Sequence, residues 1–189
     1  AVESVVDAGE RSAIAPGTQV VLLCVGTPST PMGGIDMSQL EAAVDFLLPR
    51  LKRQLQSQLQ WQAQLQAQLQ VHQDDGSSSG KVVLVTKSTV PVGTARALAA
   101  RVAAQGMAGQ VLVASNPEFL REGTALADAL HPDRIVIGVR EPEAAGVLRE
   151  LYAGIDAPIV VTDWQTAELI KYAANAFLAT RLSLMNELA

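Results

Sequence analysis

The chain has 189 residues, 49% of them hydrophobic, which is enough for one domain with a genuine core. The formal net charge is -5, with Arg and Lys scattered among acids, so a nucleic-acid surface is not expected. A single Cys24 excludes an internal disulfide, the distant His72 and His131 offer no metal-ligand spacing, and no apolar run reaches the ~18 residues of a membrane span.

The first residues, AVESVVDAGER, lack the basic start and apolar stretch of a secretion signal, and a cytoplasmic protein is the default expectation. They carry no initiator Met and begin in the middle of a pattern, so the expectation is that the true N-terminus is missing. Aromatics make up only 4%, so Leu, Val, Ile and Ala must fill the interior.

The first element is QVVLLCVG (19–26), a continuous apolar run ending in Gly, as expected of a strand buried on both faces. Cys24 inside it reads as a small buried thiol. DMSQLEAAVDFLLPRL (36–51) has helical spacing. RQLQSQLQWQAQLQAQLQ (53–70) then alternates Gln with Leu, Ala, Trp or Ser. Alternation is a strand signal, but Gln, Leu and Ala are good helix formers and no β-branched residue occurs, so a helical extension is expected. Pairs such as Leu55/Leu59 and Leu65/Leu69 fit i,i+4 contacts. With the linker-like DDGSSSG (74–80), the stretch 53–80 reads as a Gln-rich surface insertion; the alternative is a partner-binding or self-associating helix.

Strand and helix then alternate: KVVLVTKS (81–88), GTARALAARVAAQG (93–106), QVLVAS (110–115), RIVIGV (134–139), EPEAAGVLRELYAG (141–154) and PIVVTD (158–163). Gly106 and Gly154 are suitable helix stops. This order implies βαβ units and a doubly wound parallel sheet, hence an α/β fold. The final segment, 163–189, contains no Gly or Pro, takes Asp163 or Thr162 as its cap, and is apolar on several faces. It reads as a helix buried between layers or subunits.

In an open parallel sheet, ligands collect at the carboxyl ends of the strands. Those exits here are GTPST (26–30), KSTVPVGT (87–94) and SNPEFLREG (115–123). Gly26 permits close backbone approach, while Thr27, Ser29, Ser88 and Thr89 offer hydroxyls for ribose or phosphate. Each is an ordinary turn alone; together they suggest the rim of a cofactor crevice. Glu118 and Glu122 follow the third strand. They are either a solvated turn with Arg121 as an ion-pair neighbour, or one carboxylate working on water or a proton and the other on cofactor hydroxyls. Lys171 and Asn175, i,i+4 in apolar text, are either a snorkelling Lys and a satisfied Asn or an ammonium–amide pair able to polarise a substrate hydroxyl during hydride transfer. Spacing alone does not choose.

Taken in order, VGTPS, KSTVPVGT, SNPEFLREG with HPDRIVIG, and AELIKYAANAFLATRLSLMNELA resemble the UDP-glucose 6-dehydrogenase family, over nearly the whole chain apart from the Gln-rich stretch. NPEFLREG and KYAANAFLATR look like its UDP-glucose branch more than its GDP-mannose branch.

The resemblance implies the C-terminal part of a Rossmann-like, NAD-binding domain over 1–162 and the start of a long central linking and dimerisation helix over 163–189. It implies an NAD-dependent oxidoreductase of nucleotide-sugar metabolism that oxidises UDP-glucose twice, through thiol-bound stages, to UDP-glucuronate for polysaccharide biosynthesis, as a homodimer or larger. Glu118, Lys171, Asn175 and Thr89 match its catalytic positions. Gly26, Thr27, Pro28, Ser88, Thr89 and Glu122 match the cofactor side. Glu118, Phe119, Leu120, Arg121, Lys171 and Asn175 match the sugar-nucleotide side. No metal is implied.

Four features of the family have no counterpart: its first strand with the GxGxxG turn, the acid that grips the adenosine ribose, the Gly-rich segment bearing its nucleophilic Cys, which Cys24 does not replace, and its UDP-binding C-terminal domain. Other sugar-nucleotide or β-hydroxyacid dehydrogenases, or a non-catalytic nucleotide-binding or oligomerisation module, remain the alternatives.

Overall fold

A computed structural model describes residue 14 and residues 17–69 and 80–189. His72 and, except for Gly80, the linker expected over 74–80 lie outside them. Among the described residues five strands form one sheet in the order β1-β2-β3-β4-β5: β1 (Val20–Leu23), β2 (Val82–Thr86), β3 (Val111–Ser115), β4 (Ile135–Val139) and β5 (Ile159–Thr162). Each lies inside one of the Val/Ile/Leu runs, because β-branched side chains favour the pleated surface.

Side chains alternate across this sheet. Val82, Leu84, Val111 and Val113 face one layer, with α1 (Ser38–Leu69), α2 (Thr94–Ala104) and Trp164. Val83, Val85, Leu112, Ala114, Ile135 and Ile137 face the other, against Ala144 and Leu148 of α4 (Pro142–Leu151). Aliphatic side chains dominate both layers, as composition requires, with Trp164 the aromatic exception.

The expectation of a wholly parallel sheet needs correction. β1, β2 and β3 are parallel and β4 and β5 are parallel, but β4 runs antiparallel to β3, with Ala114 opposite Val139 and Ser115 opposite Gly138. A parallel return needs a crossover element packed on a sheet face. The only helix between these strands, α3 (Ala125–Leu130), buries no residue, and its Leu126 and Leu130 are exposed. The chain therefore stays at the carboxyl edge of β3, and β4 starts there and runs back.

Among the described residues β1 is an edge strand, and its Leu22 is 42% exposed rather than buried. Cys24 follows β1 and is exposed, which overturns the buried-thiol reading.

The Gln-rich stretch is helical as far as Leu69, continuous with the helix before it and running through Pro49. It is not purely a surface insertion. Leu51 and Leu55 are buried in the core beside Val44 and Leu48, whereas Leu59 and Trp61 are exposed. The helix leaves the sheet after about one turn of Gln-rich sequence, so alternation with Gln starts before burial stops.

The last helix, α5 (Trp164–Leu188), is capped by Asp163, whose Oδ1 accepts the Thr166 amide at 2.9 Å. Its first two turns are fixed. Trp164 donates Nε1–H to the Val113 carbonyl at 2.9 Å, and Ala167 lies on Gly138, where a Cβ would come within 2.4 Å of the Ala167 methyl. Glycine at 138 is therefore a packing requirement of the helix–strand contact. Trp164, Ala167, Glu168 and Lys171 are buried, while Leu178, Leu182, Met185 and Leu188 are exposed, so the expected burial holds within this chain only for the helix's beginning.

Candidate active site

The three parallel strands deliver their exits to one edge of the sheet. Thr27 Oγ1 donates to the Thr89 carbonyl at 2.7 Å, and Ser88 Oγ donates to the Val25 carbonyl at 2.6 Å. These bonds stitch the first exit to the second. They use the hydroxyl protons internally and leave oxygen lone pairs outward. Pro28 closes the next turn, accepting the Asp36 amide at 2.8 Å, while Gly26 passes Gln39 so closely that a Cβ would lie 3.2 Å from its Oε1.

The third exit meets α5. Lys171 Nζ lies 3.1 Å from Glu118 Oε1 and 5.5 Å from the centre of the Phe119 ring. Lys171 is 6% exposed. The other oxygen of Glu118, Oε2, accepts the Leu120 amide at 2.5 Å, so the carboxylate is held from both sides. Arg134 stacks over the same Phe119 ring at 4.7 Å. An ammonium engaging one carboxylate oxygen has two further N–H groups, which suits it to a developing oxyanion. Asn175 follows on α5 but is exposed, as are Leu120, Arg121 and Glu122. Arg121 does not pair with either glutamate. It donates to Asp128 through Nη2 at 2.5 Å and Nε at 3.1 Å, and Asp128 also accepts the Arg121 amide, which bends 121–128 into a closed loop and holds the Asp128 carboxyl far below the usual range.

Sequence reasoning missed the floor of this site. Lys87 Nζ donates to Asn116 Oδ1 at 3.1 Å, the Tyr152 hydroxyl donates to the same oxygen at 2.5 Å, and Asn116 Nδ2 donates to the Val136 carbonyl at 2.7 Å. Asn116 is fully buried. Burial, with Lys171 as a like charge, holds the Lys87 ammonium below its ordinary pKa, while Cys24 and Glu118 oppose that shift. The second and third exits and α5 thus share one electrostatic field. Burial pushes the Tyr152 phenol up to about 12, with Cys24 adding to the effect, so it remains a donor. The available signal was the polar pair Ser115–Asn116 ending an apolar strand; nothing local linked it to Lys87 or Tyr152.

The residues present fit one part of a dinucleotide. Oxygen lone pairs at Thr27 and Ser88 and the exposed carboxylate of Glu122 can accept ribose hydroxyls. A pyrophosphate prefers a free helix N-terminus. Those of α1, α2 and α5 are each met by a carboxylate, from Asp36, Glu168 and Asp163. None of these three N-termini is free for a phosphate, so the strand exits suit the ribose end. A cleft of about 690 Å³ opens away from these residues, at the opposite edge, between the amino ends of β1 and β2 and helix α1. It contains none of the strand exits; of its lining cations, Arg50 donates to the Phe46 carbonyl through Nη1 and stacks on its ring, and Lys81 pairs with Glu143. Among the described residues no His/Cys/Asp/Glu group could hold a metal ion, and no helix is long and apolar enough to cross a membrane.

Comparison with known proteins bears on the family and the fold. Residues 58–156 match the UDP-glucose/GDP-mannose dehydrogenase family, NAD binding domain, and residues 165–189 match that family's central domain. UDP-glucose 6-dehydrogenase of Rickettsia conorii is 38% identical over 170 residues, covering 89% of this chain and 33% of the relative. UDP-glucose 6-dehydrogenase YwqF of Bacillus subtilis is also 38% identical, over 90% of this chain and 33% of its own length. The chain thus spans about a third of the curated relatives it matches. Among solved structures, a UDP-glucose dehydrogenase from Pyrobaculum islandicum superposes with a TM-score of 0.72 at 39% identity, covering 90% of this chain and 34% of that one. A GDP-mannose dehydrogenase from Pseudomonas aeruginosa gives 0.71 at 28% identity, covering 89% and 34%. The NAD-binding match alone extends over just over half of the chain, and on these grounds the chain belongs to the UDP-glucose/GDP-mannose dehydrogenase family.

Proposed function

We propose that this chain supplies part of the cofactor-binding domain and the first turns of the central helix of a cytoplasmic, NAD-dependent UDP-glucose 6-dehydrogenase. The overall reaction converts the C6 alcohol of UDP-glucose, two NAD and water into UDP-glucuronate, two NADH and protons. UDP-glucose is favoured over GDP-mannose because, at similar superposition, identity is 39% to the UDP-glucose enzyme and 28% to the GDP-mannose enzyme.

The observation that carries the reading is the buried Lys171 ammonium held against Glu118 at the strand exits. Lys171 donates to the C6 oxygen as negative charge develops on it, and Asn175, one turn on, adds an amide donor. Glu118, already oriented by the Leu120 amide, takes up a proton from the alcohol or from attacking water. Phe119, Leu120 and Arg121 border the sugar nucleotide. Thr27, Pro28, Ser88, Thr89 and Glu122 border the cofactor, and Gly26 keeps its approach open. NAD, when bound, accepts the hydride. The exposed apolar residues distributed around α5, among them Leu169, Phe177 and Leu182, support self-association into a dimer or larger assembly.

The test is NADH formation by the protein that carries this chain, with UDP-glucose and GDP-mannose compared at equal concentration. Two NADH per UDP-glucose and little response to GDP-mannose are expected. The reverse preference would transfer the assignment to the GDP-mannose branch, and no reduction with either nucleotide would remove it.

A further inference from the structure

We propose that Glu168 is the positioning residue for the Lys171 ammonium, locking α5 onto the amino end of α2 so that Lys171 reaches Glu118. This rests on the catalytic reading of Lys171 given above. Glu168 is 2% exposed. Its Oε2 accepts the Gly93 amide at 2.6 Å and its Oε1 accepts the Ala95 amide at 2.7 Å.

α2 has no cap of its own. Its N-cap position is Gly93, at φ 103, no side chain there accepts an amide, and its first turn contains no acid. The Thr94 hydroxyl turns away and donates to the Pro91 carbonyl at 2.7 Å. The orphan amides that open a helix are thus satisfied by a carboxylate from a distant helix.

Glu168 and Lys171 are i,i+3 on α5, hence on one face and about 4.5 Å apart along the axis. A carboxylate bridging two fixed amides defines both the rotation and the height of α5 at that turn. Trp164, held to the Val113 carbonyl, sets the helix's entry but lies a further turn away from Lys171. The loop that leads to Gly93 also carries Lys87, Ser88 and Thr89. One buried side chain therefore ties the loop at the cofactor rim to the helix that bears the ammonium. No such coupling is visible in the apolar text around Glu168.

The test compares Glu168→Gln with Trp164→Phe in the protein that carries this chain. Gln keeps the shape but turns an NH2 group toward an amide. Phe removes a different anchor of the same helix. The first readout is independent of catalysis: acetylation rates of Lys171 and Lys87 with an amine-reactive acetyl ester, read by peptide mass spectrometry in the folded protein. Glu168→Gln is expected to speed labelling of Lys171 by at least about tenfold, the scale of losing one charge-assisted hydrogen bond, while Lys87 changes little. Trp164→Phe should leave the Lys171/Lys87 ratio near that of the unmodified protein.

The second readout is kinetic. In Glu168→Gln, kcat should fall at least about tenfold with KM for both substrates nearly unchanged, which is the signature of lost transition-state contact. Glu168→Asp, which keeps the charge, should restore part of both effects, and it carries the test alone if the Gln variant does not fold. Equal rises at Lys171 and Lys87, or an unchanged Lys171, would overturn the proposal. An unmodified protein that reduces no NAD with UDP-glucose would refute the dehydrogenase reading instead, and the labelling ratio would still decide whether Glu168 positions Lys171.

Discussion

Replacing Gly138 by Ala tests the contact on which the placement of α5 depends. The added methyl would lie 2.4 Å from the Ala167 methyl, 2.9 Å from the Asp163 carbonyl oxygen and 3.2 Å from Trp164 Cα. Ordinary carbon–carbon contact is about 3.5–4.0 Å, so the helix and strand must separate by about 1 Å. Two of the three obstructing atoms belong to backbone, and the helix is tethered on either side by Trp164 on Val113 and Glu168 on α2, so no side-chain rotation relieves the clash. Overpacking of this kind costs about 1–3 kcal/mol, offset by roughly 0.5–1 kcal/mol from removing a glycine from a strand. At 2.4 Å the clash belongs in the upper half of that range, so a net loss of about 1–2.5 kcal/mol is expected, or roughly 2–10 °C in Tm for a chain of this size. Urea unfolding of the variant, followed by far-UV circular dichroism, measures it. Adding Ala167→Gly removes the shortest contact, and the double-mutant cycle should return a coupling of at least about 0.5 kcal/mol. A Gly138→Ala protein as stable as the parent, with no coupling to position 167, would show that α5 does not seat on β4 as described.

Lys171→Ala in the protein that carries this chain should lower kcat by about 10²–10³-fold, the scale of one lost oxyanion donor, with nucleotide affinity little changed; equal kcat would remove Lys171 from the chemistry. Leu55→Ala should cost about 2–5 kcal/mol in urea unfolding, whereas exposed Leu59→Ala should fall within about 0.5 kcal/mol, and equal effects would contradict the point at which α1 leaves the core. By the same reasoning, deleting 54–79 destabilises the protein because it removes Leu55. Burial raises the Glu168 carboxyl above its ordinary pKa, against the pull of the Ala95 and Gly93 amides and of Arg96. The folded state then keeps a proton that the unfolded chain has released, so the stability this group contributes is complete below the usual glutamate range and is lost as pH rises through the raised value. Unfolding free energies measured across that interval should flatten in Glu168→Gln, and an unchanged slope would refute the assignment.

Local chemistry determined the elements of this protein. Every strand came from a Val/Ile/Leu run, because period and β-branching are written residue by residue. Gln, Leu and Ala kept α1 helical in spite of their alternation, and Asp163 capped α5 through the Thr166 amide. The four motif blocks also carried the family, since their order and residue types survive without coordinates. Tertiary structure alone decided what meets what. α3 has the composition of a helix but no buried face, so β4 returned antiparallel, which no strand pattern encodes. Cys24 came out exposed just past the end of β1, and Leu55 came out buried because α1 stays on the sheet one turn into the Gln repeat. Lys171 beside Glu118, Lys87 beneath Asn116 and Tyr152, and Glu168 on the Gly93 amide all join residues from separate elements. Helix and strand periodicities fix which face a side chain occupies. Which faces come into contact depends on the path of the chain between elements, and that path is settled by burial and by satisfaction of backbone amides over the whole molecule.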